Sequence, residues 1–164
     1  MQGIFKFEHW RAGKLIGQWS VSNQIKYEGM EDALDVVFVN ATQSASWYLN
    51  FVDGQAGTPI GLTETLATLV ASGFEDPTHF PAGRQLWTPT AASGRMITGT
   101  MLFWTVANAP PSPPAPSQTS LTIGAFLCNV STGSSGVLWS FTGGGAPTQI
   151  DTGDILGVNY ELSN

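Results

Sequence analysis

Cysteine and charge are scarce in this chain of 164 residues. Its single cysteine, Cys128, excludes a disulfide within the chain and a cluster of thiolate metal ligands. Charged residues make up 11% of the sequence, less than half of the roughly 25% that is usual in a soluble domain. A surface with so few charges is poorly protected against association. We therefore expect a subunit that covers much of its surface against copies of itself or against a larger assembly.

Basic residues are the rarer of the two charged classes, and they are unevenly placed. Six Lys and Arg stand against twelve Asp and Glu, which gives a formal net charge of −6. This balance argues against a nucleic-acid partner, because such proteins need a basic patch. Four of the six basic residues precede Tyr27, and all charged residues after Arg95 are acidic. The two ends of the chain could therefore attract each other, either within one subunit or between two.

Long apolar runs and clusters of metal-binding residues are also missing from the sequence. No stretch reaches the roughly 18 apolar residues that a membrane helix requires, so we expect no membrane partner. His9 and His79 are the only histidines, and with a single cysteine they do not make a zinc site. Asp151 and Asp154 are too few for a calcium loop, and we interpret both as solvated turn residues. We therefore predict neither a metal nor any other cofactor.

Two motifs could indicate an enzyme, but neither has the surroundings that catalysis requires. Asp151-Thr152-Gly153 matches the tripeptide of aspartic proteases, yet no second copy exists and only ten residues remain after Asp154. Asp154 would also add charge repulsion without a defined partner. A Ser–His–Asp site could use His79, but the chain has no Gly-x-Ser-x-Gly nucleophile elbow. We therefore predict that the protein is not an enzyme and has no catalytic residues.

Glycine, proline and aromatic residues are abundant and favour an all-β fold. The chain has 19 Gly, 10 Pro, 6 Trp and 9 Phe, a profile that suits many strands joined by turns. Alternation predicts a hairpin over residues 3–27, with its turn in "RAGK", and a strand in "SASWYLNFVDG". Further strands are predicted in "RQLWTP", "RMITGTMLFWTV", "SLTIGAFLCNV", "GVLWSFT" and "ILGVNYELS". The apolar end of "RMITGTMLFWTV" indicates burial on both faces.

The last predicted strand shows the clearest alternation. Leu156, Val158, Tyr160 and Leu162 point to one face, and the residues between them point to the other. Helices are too few to supply the crossovers of a parallel sheet. We therefore predict one domain over residues 1–164, an antiparallel β-sandwich or jelly roll. Whether the hairpin 3–27 belongs to the sandwich or extends from it as an arm is left open.

One or two short helices are predicted. Met30, Leu34 and Val37 or Phe38 recur at helical spacing, which predicts a helix over about 29–39. Its acidic residues, from Glu28 to Asp35, fit a solvated helix face better than the facing carboxylates of a glycosidase. "TETLATLVAS" predicts a second helix with Thr63 as its cap.

Two segments are predicted to be loops. Residues 54–84, apart from the second helix, form a long connection, and loops of that size usually carry contacts or function. "APPSPPAPS", residues 109–117, contains five prolines and cannot be a central strand. We interpret it as a stiff loop between antiparallel strands. The alternative is a recognition motif for a proline-binding groove, because Pro110 and Pro113 have PxxP spacing.

Several stretches resemble small virion structural proteins of tailed bacteriophages. "ASWYLNFVDG" is similar to the "WYLGL" strand that follows a short helix in that family. "TIGAFLCNVSTGSSGVLWSF" and "QIDTGDILGVNYELS" are similar to its "I-x-G-x-F" strand, Gly-rich turn, "LLW" and closing strand after "GD". "GRQLWTPTAASGRM" resembles its "Arg-x-x-W" segment. The resemblance spans roughly residues 28–162, and "APPSPPAPS" departs from it as an insertion in a hairpin that is usually short.

The resemblance implies a component of a phage virion. We expect a capsid cement or decoration protein that binds the major capsid protein and forms homo-oligomers. A tail, neck or fibre component is the first alternative. The second is a carbohydrate-binding β-sandwich whose exposed tryptophans stack on sugars. Candidate interface residues are Phe5, Phe7, Trp10, Trp47 and Trp87, together with the loop 54–84, although the same aromatics could belong to an ordinary core.

Overall fold

Two antiparallel sheets packed face to face form the fold in this computed structural model, which confirms the predicted β-sandwich. The structure describes residues 2–23, 25–53, 61–108, 123–143 and 150–163. The proline-rich loop 109–117 and the first part of the loop 54–84 lie outside the described residues. No helix within the described part of the chain is long and apolar enough to span a membrane.

The first sheet has five strands, β1 Gln2–Arg11, β2 Lys14–Asn23, β5 Met96–Thr98, β6 Leu102–Thr105 and β9 Ile155–Ser163. Their order is β2, β1 and β9, with β5 and β6 both pairing along the far edge of β9. The second sheet has the order β4, β3, β7 and β8. Its bounds are β3 Trp47–Asp53, β4 Gln85–Trp87, β7 Ile123–Cys128 and β8 Leu138–Thr142.

The N-terminal hairpin belongs to the sandwich. Its turn is made by Ala12 and Gly13, both with positive φ (48° and 75°), as a two-residue hairpin turn requires. β1 then lies between β2 and β9, with Phe5 opposite Tyr160 and Phe7 opposite Val158. The hairpin is therefore an integral part of the first sheet, with β2 as its edge strand, and not an arm.

β9 has the predicted inward face, and it organises the first sheet. Leu156, Val158 and Tyr160 are buried in the core, and Leu162 is half-buried against it. β9 pairs with β1 along one edge and with β5 and β6 along the other. Most of the first sheet therefore depends on residues from the C-terminal end of the chain.

The strand predicted in "RMITGTMLFWTV" is interrupted, and that prediction was wrong in two respects. The segment forms β5 and β6, separated by residues 99–101. At Gly99 a Cβ would lie 2.6 Å from Trp87 Cε2 and 2.7 Å from the Thr88 carbonyl oxygen. In β6 Trp104 is buried, whereas Phe103 is exposed. Pairing at the sheet edge gives β6 one inward face, so it is not buried on both sides.

β7 is the strand that is buried on both faces. All six of its residues, from Ile123 to Cys128, are buried. Ala125 and Leu127 face the core between the sheets, and Phe126 and Cys128 face a second cluster on the outside of the second sheet. Cys128 is a buried free thiol, as predicted, and this burial raises its pKa.

The second cluster is covered by a short helix, α2 Leu66–Ala71. Leu66 and Leu69 are buried on the sheet. The cap is Thr65, whose hydroxyl accepts from the Thr68 N–H at 3.2 Å; the prediction of Thr63 was wrong. The Thr68 hydroxyl oxygen in turn accepts a hydrogen bond from the Thr65 N–H, which completes a capping box.

The other helix, α1 Tyr27–Leu34, continues directly as a π-helical segment, Asp35–Val39. This confirms a helix in the predicted region, beginning two residues earlier than predicted. It ends at Asn40, which has positive φ (59°), a conformation that asparagine tolerates better than most residues. This helix differs from α2 in how far its apolar side chains are exposed.

Candidate interaction site

The helix formed by α1 and the π-helical segment turns its apolar face toward solvent. Val37, Phe38 and Val39 retain 70%, 78% and 71% of their surface, and Leu34 retains 55%. Met30 and Tyr27 continue the same line one and two turns before Leu34 and are also exposed. We call this set of six side chains the outer stripe. It consists of Tyr27, Met30, Leu34, Val37, Phe38 and Val39.

Small residues and polar anchors hold the opposite side of the helix against the sandwich. Gly29 is buried against β8, where a Cβ would lie 2.8 Å from Trp139 Cα. Glu28 was predicted to be solvated, and this was wrong. Its carboxylate accepts from the backbone N–H of Leu138 at 2.6 Å and of Leu66 at 3.2 Å. These contacts hold one side of the helix on the sandwich, and the outer stripe on its other side stays exposed to solvent.

Acidic residues lie on the same helix as the outer stripe. Glu31 and Asp35 are exposed on the same helix. Asp32 is half-buried. Its pKa is raised mainly by burial and to a smaller extent by the nearby charge of Asp35. The helix therefore presents an apolar line with negative charge beside it and no basic residue in its last turn.

An aromatic cavity of about 300 Å³ lies beneath this helix, between the two sheets. The structure brings together two of the predicted interface residues here, because Trp47 and Trp87 are directly opposite each other on β3 and β4 and both line the cavity. Trp139 and Tyr160 complete its aromatic wall, and Asp32 lies at the helix side.

The aromatic rings form two crossed pairs. Trp47 and Trp139 have ring centroids 5.4 Å apart at an interplanar angle of 70°. Trp87 and Tyr160 lie 5.9 Å apart at 77°. Trp87 also donates its indole N–H to Asn159 Oδ1 at 3.0 Å. These contacts fix the aromatic wall before any ligand or partner arrives.

The remaining predicted interface residues are placed differently. Phe5 and Phe7 are buried in the core between the sheets, where Phe7 stacks on Trp19 at 5.1 Å. Trp87 is likewise buried, although it borders the cavity. Trp10 is half-buried and donates to Glu8 at 2.8 Å. The side chains of Phe5 and Phe7 therefore serve the core within one chain, and the interface hypothesis moves to the outer stripe and the cavity.

The "DTGD" segment forms a buried ionic corner. We call it the Asp154 corner and define it by His9, Arg11, Asp151 and Asp154. The Asp154 carboxylate accepts hydrogen bonds from His9 Nε2 at 2.7 Å and from two nitrogens of Arg11 at 2.6 and 2.9 Å. The Asp151 N–H adds a fourth contact at 2.9 Å. The prediction of a solvated turn was therefore wrong for Asp154, whose side chain is 4% exposed.

Hydrogen bonds keep the Asp154 carboxyl group in its ionised form. Burial alone would raise the pKa of its carboxyl, but donors from Arg11, the Asp151 backbone and His9 outweigh burial and hold that pKa well below its ordinary value. The carboxylate is therefore ionised at neutral pH and tied to its donors. Such a group stabilises a turn, because its lone pairs are already engaged.

The basic N-terminal and acidic C-terminal pieces meet within the chain. Arg11 also contacts Asp151 at 2.8 Å, and Lys6 pairs with Glu161 at 2.6 Å across β1 and β9. Of the two arrangements that the charge distribution allowed, the structure shows the one within a single subunit. No group of three His, Cys, Asp or Glu side chains suited to a metal ion occurs among the described residues.

Comparison with protein-family models, with curated proteins and with solved structures gave no match to this chain.

Proposed function

We propose that the protein is a non-enzymatic structural subunit of a bacteriophage particle, and that it decorates the capsid by binding the major capsid protein through the outer stripe. The sequence resemblance to small virion proteins supports the class. The low content of charge and the sandwich fold fit a subunit that works by covering surface.

The observation that carries the proposal is the orientation of the α1 helix. Monomeric proteins rarely expose a contiguous apolar patch without a use for it. Here six large apolar side chains are exposed on one short helix, and three of them keep at least 70% of their surface. Covering such a side chain contributes about 1.5 kcal/mol or more. A partner that covers the outer stripe therefore gains substantial free energy from this helix alone.

The acidic residues beside the stripe define the chemistry of the partner. Glu31 and Asp35 are exposed, and the chain carries a net charge of −6. An apolar groove bordered by Lys or Arg would match both the stripe and its charge. On a capsid surface, such a groove would repeat with the symmetry of the shell.

Stacking of a sugar on exposed tryptophans has less support. Trp87 is 5% exposed, and its indole N–H is already bound to Asn159. A stacking platform needs an open ring face, which Trp87 does not offer.

Quantitative mass spectrometry of purified particles of the virus that encodes the chain tests the proposal. We expect the protein in a copy number comparable to that of the major capsid protein. A small fixed copy number would instead indicate a neck, tail or fibre component and would contradict capsid decoration. Absence from particles would overturn the virion assignment altogether.

A further inference from the structure

We propose that the aromatic cavity beneath α1 is a binding site for a small organic cation with alkyl substituents, of the quaternary ammonium type. The site lies mainly on the inner side of the helix and shares only Val37 with the outer stripe. The inference rests on the lining of the cavity and not on the proposed attachment to a capsid.

The cavity wall has the composition that such cations prefer. Trp47, Trp87, Trp139 and Tyr160 all line it. The rings meet in two crossed pairs, with interplanar angles of 70° and 77°. Trp47 and Trp139 are the partly buried members, and their rings offer surface to the space. An alkylated ammonium group is attracted to the negative faces of such rings, and tryptophan gives the strongest attraction.

The charge of the cavity also points to a cation. Asp32 is the one charged residue among the fourteen lining residues that the structure describes, and the others are apolar, aromatic or uncharged. Burial and the neighbouring Asp35 both make its ionised form less favourable, which raises its pKa. A bound cation would compensate this charge, whereas an anion would add a third negative group.

The cavity is large enough for a small organic ligand. About 300 Å³ lies at the lower end of the range for small-molecule sites. Ile97, Leu127 and Leu162 form apolar parts of the lining, which suit methyl groups better than the hydrogen-bonding hydrogens of an unmodified ammonium. The cavity therefore fits a trimethylammonium head group better than ammonium or a metal ion.

Titration of the full chain with choline, followed by calorimetry and tryptophan fluorescence, tests the inference. The matched probe is 3,3-dimethyl-1-butanol, which has nearly the same shape as choline without its charge. We expect choline to bind at least about tenfold more tightly than the neutral probe. Equal affinity for the two probes, or no binding of choline at millimolar concentration, would overturn the proposal.

Two variants with the same change of charge locate the site. Asp32→Asn should weaken choline binding several-fold and leave the affinity for the neutral probe unchanged. Glu31→Gln, on the adjacent exposed residue, should leave both affinities near those of the original chain. An equal loss of choline binding in both variants would show a diffuse effect of charge and would contradict the assigned site. Circular dichroism checks that both variants keep the fold.

Discussion

The Asp154 corner buries a carboxylate in the interior of the protein, whereas the outer stripe leaves six large apolar side chains in solvent. Both regions depart from the usual placement of charged and apolar residues. At the corner, four donor contacts within the chain compensate the buried charge. At the stripe, the chain supplies no cover among its described residues. The first region is therefore complete within one chain, and the second is where, under the proposed function, a partner binds.

Under the proposed function, this difference separates residues that serve folding from residues that serve assembly. If it is correct, changes near the corner and β9 should alter stability in the isolated chain. Changes in the outer stripe should alter association and leave stability nearly constant.

The largest effect is expected from removal of β9. Deleting residues 155–164 takes away the strand that pairs with β1, β5 and β6. Since Leu156, Val158 and Tyr160 also leave the core, the truncated chain should show no cooperative thermal unfolding by circular dichroism. A truncated chain that still unfolds cooperatively would contradict the role assigned to the C-terminal strand.

Asp154→Ala should be the most damaging single substitution at the corner. It leaves His9 and Arg11 without their shared acceptor, so the free energy of unfolding should fall by about 3 kcal/mol. Asp151→Asn is the control, because the Asp151 side chain is 33% exposed and that of Asp154 only 4%. The control should cost less than about 1 kcal/mol. Equal losses for the two variants in chemical denaturation would refute the special position of Asp154.

Gly29→Ala tests how the helix is held beneath the stripe. The added Cβ would lie 2.8 and 2.9 Å from the backbone Cα and carbonyl oxygen of Trp139, which cannot move as freely as a side chain. A loss of about 1–3 kcal/mol is expected from this overpacking. Gly17→Ala, where the nearest atoms are 3.8 Å away or more, should show no such loss. Similar unfolding curves for both variants would mean that α1 is not closely seated on β8.

The corner should also make stability depend on pH. Because the pKa of Asp154 is lower in the folded chain than in the unfolded chain, its contribution is complete above about pH 4 and is lost as the pH falls below that value. The difference in unfolding free energy between the original chain and Asp154→Asn should therefore be full at about pH 7. It should shrink by an amount on the order of 1–2 kcal/mol toward about pH 3. A difference that stays constant over this range would contradict the account of the corner.

The smallest effect on stability is expected in the outer stripe. Phe38→Ser removes a ring that is 78% exposed, so the free energy of unfolding should change by no more than about 0.5 kcal/mol. Chemical denaturation followed by circular dichroism measures this change. A loss comparable to that of Asp154→Ala would place Phe38 in the folding core and remove the distinction between the two regions.

Local periodicity predicted the elements of this fold well. The alternation at Leu156, Val158 and Tyr160 identified the inward face of β9, and the spacing of Met30 and Leu34 identified a helix. Periodicity does not show which side of a helix is covered. α2 buries its apolar residues, whereas α1 exposes them, because Gly29 and Glu28 seat α1 by its other side.

The functional features depend on contacts between distant residues. His9 and Asp154 are 145 positions apart, and only the uneven distribution of charge indicated that the two ends could meet. The cavity joins Trp47 and Trp87, which the sequence singled out as interface candidates, with Trp139 and Tyr160, which it did not name as such. Their convergence follows from the packing of two sheets, and no local pattern in the sequence encodes it.

Association with phage particles tests the role that we propose for the outer stripe most directly. The original chain, Phe38→Asp and Thr105→Asp are each added to particles of the proposed source virus that lack the protein, and the bound fraction is measured after sedimentation. Thr105 is the control site because it is exposed on β6. It pairs with Ile155, at the opposite end of β9 from Leu162, which lines the cavity beneath α1. Its substitution therefore adds the same charge at a distance from the stripe.

We predict that Thr105→Asp binds like the original chain and that Phe38→Asp loses at least about 90% of binding, a tenfold loss that corresponds to about 1.4 kcal/mol. Circular dichroism confirms beforehand that both variants are folded. Undiminished binding of a folded Phe38→Asp variant would contradict the account.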